Sequence, residues 1–254
     1  MDSLTSRSAY ILGAALVIAS LVGAISFYSA KQPIDSLAVT GSAERVITAD
    51  VAKWTTNVSR NTDSAGLKAG SDQIKKDVAD IQAYLKQSGL KDEEITVNPV
   101  TVSPVCENQN NVMYDKFGNQ TCGSGKPFGY ALQQTVIIES NDAKKVTDLS
   151  QKAPNALINR GLIFSSQNLE YYYSKLSELK IELTGEATKD ARKRAEQIAQ
   201  ATGSSIGALQ SASLGVVQVT AKNSAEVSDY GAYDTAALEK KVTTVVKASF
   251  ILKR

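Results

Sequence analysis

The chain has 254 residues, with 28 lysines and arginines against 26 aspartates and glutamates, two cysteines and no histidine. This length is enough for one or two domains with a hydrophobic core, and a net charge of +2 predicts no strong preference for nucleic acid or for an acidic substrate. The lack of histidine excludes imidazole catalysis and His-ligated metal sites, and two cysteines exclude a four-thiolate metal centre. The composition therefore excludes most common enzyme chemistries, and no catalytic residue, metal or cofactor is assigned from the sequence.

The amino-terminal region is strongly apolar. Ser8–Ala30 contains no charged residue, and about 20 apolar residues are enough to span a bilayer as a helix. The segment is predicted to be either a retained transmembrane anchor or a signal peptide, because Ala24-Ile25-Ser26 resembles a cleavage site. The chain then divides into a short cytoplasmic tail, the anchor or signal, a linker and an extracytoplasmic domain: residues 1–8, 9–30, 31–36 and 37–254.

The two cysteines, Cys106 and Cys122, bracket a segment rich in Asn, Gln and Gly. An exported domain with an even number of cysteines favours a disulfide. Closing a loop of about 15 residues stabilises a fold by about 3 kcal/mol in the chain-entropy model. A redox-active pair is the alternative, although such pairs usually have C-x-x-C spacing.

The first half of the extracytoplasmic region alternates strand and helix patterns. Apolar residues at every second position predict strands, and a stripe spaced by three or four residues predicts a helix. Pro99 and Pro104 predict bulges or an edge position in the third strand, because proline lacks the ladder donor. The predicted elements are strands at Leu37–Glu44 and Ala52–Ser59, a helix at Ser64–Gln87, and strands at Glu94–Cys106 and Phe128–Ser140.

The second half continues with a helix for which Asn141 is the expected N-cap and which Pro154 is expected to break or kink. Gly203 lies just beyond the end of a later, longer helix. A polar segment at residues 221–237 predicts a long loop. The remaining predicted elements are a strand at Leu162–Tyr173, a helix at Ser174–Thr202, and strands at Ile206–Thr220 and Val242–Leu252.

This order of elements predicts an α+β fold with two interleaved α/β subdomains. Residues 49–173 follow a βαββαβ order, which is typical of ferredoxin-like sheets. The second subdomain is expected to combine residues 37–48 with residues 174–254, so that both ends of the chain contribute to it. Gly41, within the first strand, predicts a bulge or the close approach of another backbone.

Three features together resemble the SIMPL-domain family of bacterial envelope proteins, which includes the periplasmic immunogenic proteins. They are the sequence V-T-G-S-A-E at Val39–Glu44, an alanine-rich helix at Ala187–Gly203, and the carboxy-terminal strand. The resemblance covers residues 37 to 254. It implies a non-enzymatic extracytoplasmic protein linked to envelope or oxidative stress, and some members form large oligomers. No catalytic residue can be carried over from it.

Five tyrosines are candidates for an interface. Tyrosine suits half-buried positions at strand ends and subunit contacts. Stacking of a ligand or of single-stranded nucleic acid on the tyrosine triplet is the less favoured interpretation, because few basic residues flank it. The candidates are the triplet Tyr171, Tyr172 and Tyr173, and two residues of the second loop, Tyr230 and Tyr233.

The favoured function is oligomeric assembly or partner binding, with the chain attached to the inner membrane through residues 9–30 and its main domain in the periplasm or outside the cell. A soluble periplasmic protein is expected instead if the segment is cleaved. The alternative function is a ligand-binding or weakly catalytic domain that uses the loops at 107–121 and 221–237. A disulfide-exchange protein is a third hypothesis. No nucleic-acid partner is predicted.

Overall fold

A computed structural model describes residues 13–24, 35–107, 112–123, 126–225 and 228–253. It contains helices and several antiparallel sheets, which confirms the predicted α+β class. The helices are α1 at residues 13–24, α2 Leu67–Gln87, α3 Ala143–Ile158 and α4 Leu176–Ala201, with a 3-10 turn at Asp92–Glu94. The strands are β1 Ser36–Thr48, β2 Val51–Asp63, β3 Ile95–Val97, β4 Thr101–Val105, β5 Val112–Tyr114, β6 Gln120–Cys122, β7 Gly129–Ser140, β8 Ile163–Tyr172, β9 Ser205–Leu214, β10 Gln218–Ala221 and β11 Glu239–Lys253.

Within these ranges, no helix is long and apolar enough to cross a membrane. Only part of the predicted membrane segment is described, since residues 9–12 and 25–30 lie outside the described residues. The predicted tail at residues 1–8 and most of the linker also lie outside them.

The chain forms two compact units, each built from separate stretches of sequence. The first contains Met1–Ser42, Glu186–Gly215 and Val245–Arg254, and the second contains Ala43–Gly185 and Val216–Thr244. Strands β1 and β11 and helix α4 each contribute residues to both units.

The second unit contains a five-stranded antiparallel sheet. Strand β2 lies between β7 and β8, while β3 and β4 both pair with the far side of β7. Alternate residues of β2 and β7 point into the core, and Trp54, Leu132 and Ile138 are fully buried there. The apolar stripes of α2 and α3 belong to the same core, so both helices cover this face of the sheet.

The predicted third strand is divided at Pro99 into β3 and β4, as the change in its alternation suggested. Pro104 lies on the edge strand β4, where its lack of an amide hydrogen is tolerated. One prediction about the next helix was wrong. Asp142, rather than Asn141, is the N-cap of α3, because its carboxylate accepts from the Lys145 amide at 3.0 Å. Pro154 does not break α3, which continues to Ile158.

A second core of this unit lies between the first half of α4 and neighbouring strands. It contains Ile47 of β1, Leu179 and Leu183 of α4, Val219 of β10 and Val242 of β11. The predicted strand at Ile206–Thr220 is two strands, β9 and β10, separated by residues 215–217.

The first unit packs the second half of α4 on the sheet through small residues. Its core consists of Val39, Ala191, Ala195, Ala248 and Phe250. The alanines of α4 allow a close backbone approach at Gly41, which is one of the two alternatives predicted from a glycine within a strand. Strand β9 pairs with β11 in this unit.

Candidate functional surface

The segment between β4 and β7, Cys106–Phe128, is called the insertion. The sequence predicted a loop there, but the insertion contains a hairpin, β5–β6. Asp115 organises its turn, since one carboxylate oxygen accepts from the amides of Phe117 at 2.8 Å and Asn119 at 2.9 Å. The other oxygen accepts from the Asn119 side chain at 3.0 Å, and Gly118 supplies the left-handed conformation with φ of 81°. Hydrogen bonds from the Asn119 side chain and amide lower the pKa of Asp115 below its ordinary value.

The hairpin is attached to the edge of the sheet by a covalent bond and a hydrogen bond. Cys106 and Cys122 form the predicted disulfide, with 5.6 Å between their Cα atoms. The Gln120 side chain donates to the carbonyl oxygen of Pro104 at 3.0 Å. Both contacts connect β6 with the end of β4, so the hairpin is held against that strand.

The surface of the insertion and β4 is unusually apolar for an exposed region. Phe117 at the hairpin turn is 76% exposed and Phe128 is 70% exposed. Other exposed apolar side chains of this region are Val100, Val102, Val105, Met113 and Tyr114. Aromatic and methionine side chains are enriched at protein–protein contacts.

A small cleft of about 280 Å3, called the edge cleft, adjoins the base of the insertion. The ends of three strands form it, because Val105, Gly129 and Asp63 are paired across β4, β7 and β2. The cleft is lined by Asn61, Thr62, Asp63, Val105, Phe128 and Gly129. It therefore has apolar walls beside a carboxylate.

A larger and more polar cleft, of about 560 Å3, lies where α3 begins. One of its carboxylates, Glu94, accepts from the Ser140 hydroxyl and, at 2.8 Å, from the Lys91 amide. Burial raises the pKa of Glu94. These hydrogen bonds and the charges of Lys145 and Lys91 lower it by more, so the pKa is below its ordinary value. An ionised carboxylate with a lowered pKa is a weak general base at neutral pH. The geometry therefore favours a structural role.

A buried lysine forms hydrogen bonds with the loop at 221–237. The Lys240 side chain is 1% exposed, and its ammonium donates to the Asp234 carbonyl oxygen at 2.6 Å and to the Asp234 carboxylate at 3.1 Å. Burial raises the pKa of Asp234, but hydrogen bonds from the Ala237 amide and from Lys240 leave it below its ordinary value. Of the residues of 107–121 and 221–237 that the structure describes, none lines the edge cleft, the polar cleft, or the 380 Å3 cleft beside α3. The ligand-binding alternative stays a prediction.

The structure separates the five candidate tyrosines by their exposure. Tyr171 is a core residue of the second unit, and its hydroxyl is 2.8 Å from the Thr147 hydroxyl. Tyr172 and Tyr233 lie together with their ring centroids 6.5 Å apart, and burial followed by the nearby charge of Glu170 raises the pKa of Tyr172. Tyr173 packs on the second core of that unit, while Tyr230 is 98% exposed.

The sequence did not identify the apolar side chains of the insertion as candidates. Met113, Tyr114 and Phe117 interrupt a segment otherwise rich in Asn, Gln and Gly, and this contrast was the available signal. Among the residues that the structure describes, no group of three or more acidic or cysteine side chains is placed to hold a metal ion.

The described chain is thus an α+β protein with a disulfide-bonded hairpin at the edge of a sheet. Residues 37–250 match the SIMPL family, described as proteins of unknown function (DUF541). The chain belongs to this family, which confirms the resemblance seen in the sequence. A search of curated proteins found no match.

Proposed function

We propose that this protein is a non-enzymatic component of the bacterial envelope that acts by assembling with further copies of itself or by binding a protein partner. The observation that carries the proposal is the exposed apolar surface of the insertion. The disulfide and the Asp115 turn hold these side chains in place before binding. A surface that is ordered in advance loses less conformational entropy when it associates.

The proposed location is the periplasmic side of the inner membrane, with residues 9–30 as a single-pass anchor. The uncharged Ser8–Ala30 segment supports this location. The Cys106–Cys122 disulfide is in keeping with an oxidising compartment. Cleavage of the same segment as a signal peptide would leave a soluble periplasmic protein.

We also assign the sheet of the second unit to the ferredoxin-like type, as half of an interleaved pair of α/β subdomains. The strand order β3-β7-β2-β8, with α2 between β2 and β3 and α3 between β7 and β8, supports this assignment. We also propose a role in the envelope or oxidative stress response, on the basis of the family resemblance alone.

The test combines two measurements on protein purified from a membrane fraction. The intact mass distinguishes a retained amino terminus from a cleaved one. Light scattering of the detergent-solubilised protein then gives its oligomeric state over a range of concentrations. We expect a mass that includes residues 9–30 and an assembly larger than one chain. A monomer at all concentrations that also captures no envelope protein would refute the proposed function.

A further inference from the structure

We propose that the Phe117 side chain of one copy inserts into the edge cleft of a second copy, and that the second copy returns the same contact. This inference rests on the proposed function in assembly and assigns its contact surface. The two parts are the hairpin turn that carries Phe117 and the cleft formed by the ends of β2, β4 and β7.

The hairpin turn presents an aromatic side chain on an ordered backbone. Phe117 is 76% exposed, and the Lys116 ammonium lies 5.0 Å from the centroid of its ring. The Asp115 hydrogen bonds to the Phe117 and Asn119 amides fix the backbone beneath the ring. An exposed aromatic side chain on an ordered turn is typical of the residues that dominate binding at protein interfaces.

The edge cleft fits that side chain in size and polarity. Its volume is about 280 Å3, whereas a cavity of about 150 Å3 is enough to bind benzene. Phe128 and Val105 supply apolar walls for the incoming ring, and offset aromatic pairs are favourable beyond the area that they bury.

One charged group of the turn, the Lys116 ammonium, is opposite in sign to the Asp63 carboxylate of the cleft. Asp63 lines the cleft, and one of its oxygens accepts from the amides of Ala65 at 3.1 Å and Gly66 at 2.6 Å, which fixes the carboxylate in place. The Lys116 ammonium accompanies the Phe117 ring and would meet this carboxylate when the ring enters. Such a pair sets the orientation of docking more than its strength.

The position of the cleft beside the hairpin supports a second copy, arranged about a two-fold axis, as the occupant. Val105, in the cleft wall, directly precedes Cys106, to which the hairpin is bonded. Phe117 lies five positions before Cys122, so the turn extends up to about 17 Å from the disulfide at about 3.3 Å per residue. Because donor and acceptor lie at the same end of the unit, one two-fold axis satisfies both contacts at once.

A lipid surface fits the hairpin turn less well. Interfacial membrane segments combine apolar residues with an excess of Lys and Arg. The turn instead places Asp115 beside Lys116, so its charges balance, and insertion would bring a carboxylate towards the lipid.

The experiment measures self-association of the full chain in detergent by sedimentation equilibrium. The donor variant is Phe117→Ser and the cleft variant is Phe128→Ser. Tyr230→Ser, which removes another highly exposed aromatic side chain, is the matched control. We expect each test variant to weaken the dimer roughly 30-fold or more, as for a central aromatic contact, and the control to leave it unchanged.

Mixing the two test variants provides the decisive measurement. A mixed dimer retains one intact contact, since the Phe128→Ser copy still donates Phe117 to the unaltered cleft of the Phe117→Ser copy. The mixed dimer should therefore be tighter than either variant alone. Equal weakness in the mixture would overturn the exchange, as would association that Phe117→Ser leaves unchanged, although the proposed function would survive. A wild-type chain that is monomeric at every concentration, and that captures no envelope protein, would overturn both.

A Phe117→Trp variant separates a protein occupant from a lipid one. Trp54 is the chain's own tryptophan and is fully buried, so it adds a constant background. In detergent, we expect the emission of the new indole to shift to the blue as protein concentration rises. A blue shift that appears only in phosphatidylcholine–phosphatidylglycerol vesicles, and at every protein dilution, would assign the turn to the membrane and overturn the inference.

Discussion

Gly41 of β1 lies directly against Ala191 of α4. A Cβ atom placed on Gly41 would stand 2.3 Å from the Ala191 nitrogen and 2.2 Å from the Ala187 carbonyl oxygen. Both neighbours are backbone atoms, so no side chain can rotate away. We expect Gly41→Ala to destabilise the protein by about 3 kcal/mol or more, because strand and helix must separate. Urea denaturation at neutral pH measures this change.

Gly185 provides the matched control on the same helix. It is exposed within α4, and a Cβ there would meet nothing within 4 Å. Gly185→Ala should stabilise the protein by about 1 kcal/mol, because alanine favours the helix and restricts the unfolded chain. If Gly41→Ala left stability unchanged, or raised it as Gly185→Ala is expected to do, close packing of β1 on α4 would not govern the Gly41 position.

The alternating patterns predicted the strands that have one buried face. In β7, Leu132, Val136 and Ile138 are all fully buried, because a period of two places them on the same side of the sheet. The close approach at Gly41 was predictable for a related reason, since glycine inside a strand is otherwise unfavourable.

The candidate surface was much less predictable. The hairpin strands contain three residues each, which is too short for an alternating apolar pattern to stand out. The Asp115 carboxylate and the disulfide stabilise them instead of a buried apolar face. The edge cleft joins Asp63, Val105 and Gly129, which are far apart in sequence and meet only through strand pairing. Local sequence patterns therefore could not predict that these three residues lie together.

The hydrogen bonds of Glu94 predict a dependence of stability on pH. Its pKa in the folded protein lies below the ordinary value, despite the opposing effect of burial, because Ser140 and the Lys91 amide donate to the ionised form. Its contribution is therefore present above the unfolded pKa of about 4.3 and is lost as pH falls through the lower folded pKa.

Glu94→Gln should thus destabilise the protein by roughly 1.5 kcal/mol at pH 7, since charge-assisted hydrogen bonds are lost. The difference from the wild type should shrink as the pH falls below 4, where the wild-type carboxyl becomes neutral as well. Denaturant titrations at a series of pH values measure this. Glu93→Gln, at the exposed neighbouring position, is the control, and a pH-independent deficit for Glu94→Gln would contradict the mechanism.

The disulfide makes a separate prediction about the insertion. Replacing both Cys106 and Cys122 by serine should lower stability by up to about 3 kcal/mol in the chain-entropy model, because the unfolded chain regains the freedom of the closed loop. The core of the second unit contains neither cysteine, so the fold should persist. Hydrogen exchange should show faster exchange confined to β5 and β6. Unchanged protection of the Asn119 amide would show that the Asp115 turn alone orders the hairpin.

The ion pair between Arg60 of β2 and Asp77 of α2 predicts strong coupling between sheet and helix. Asp77 is 2% exposed and accepts from two guanidinium nitrogens and, at 3.0 Å, from Gln73. The hydrogen bond from Arg60 to Asp77 raises the pKa of the guanidinium despite its partial burial. Asp77→Leu should cost about 3 kcal/mol, because it leaves the arginine without its carboxylate.

A double-mutant cycle tests whether the loss arises from the pair. Adding Arg60→Met to Asp77→Leu should recover much of the stability, because apolar replacements of similar size relieve the unpaired charge. The surface pair of Asp72 and Lys75, whose charged atoms lie 4.0 Å apart, is the control, and Asp72→Ala should change stability by no more than about 0.5 kcal/mol. Additive effects of the Arg60 and Asp77 substitutions would mean that each side chain acts through its own packing, and that the ion pair contributes nothing to the contact between β2 and α2.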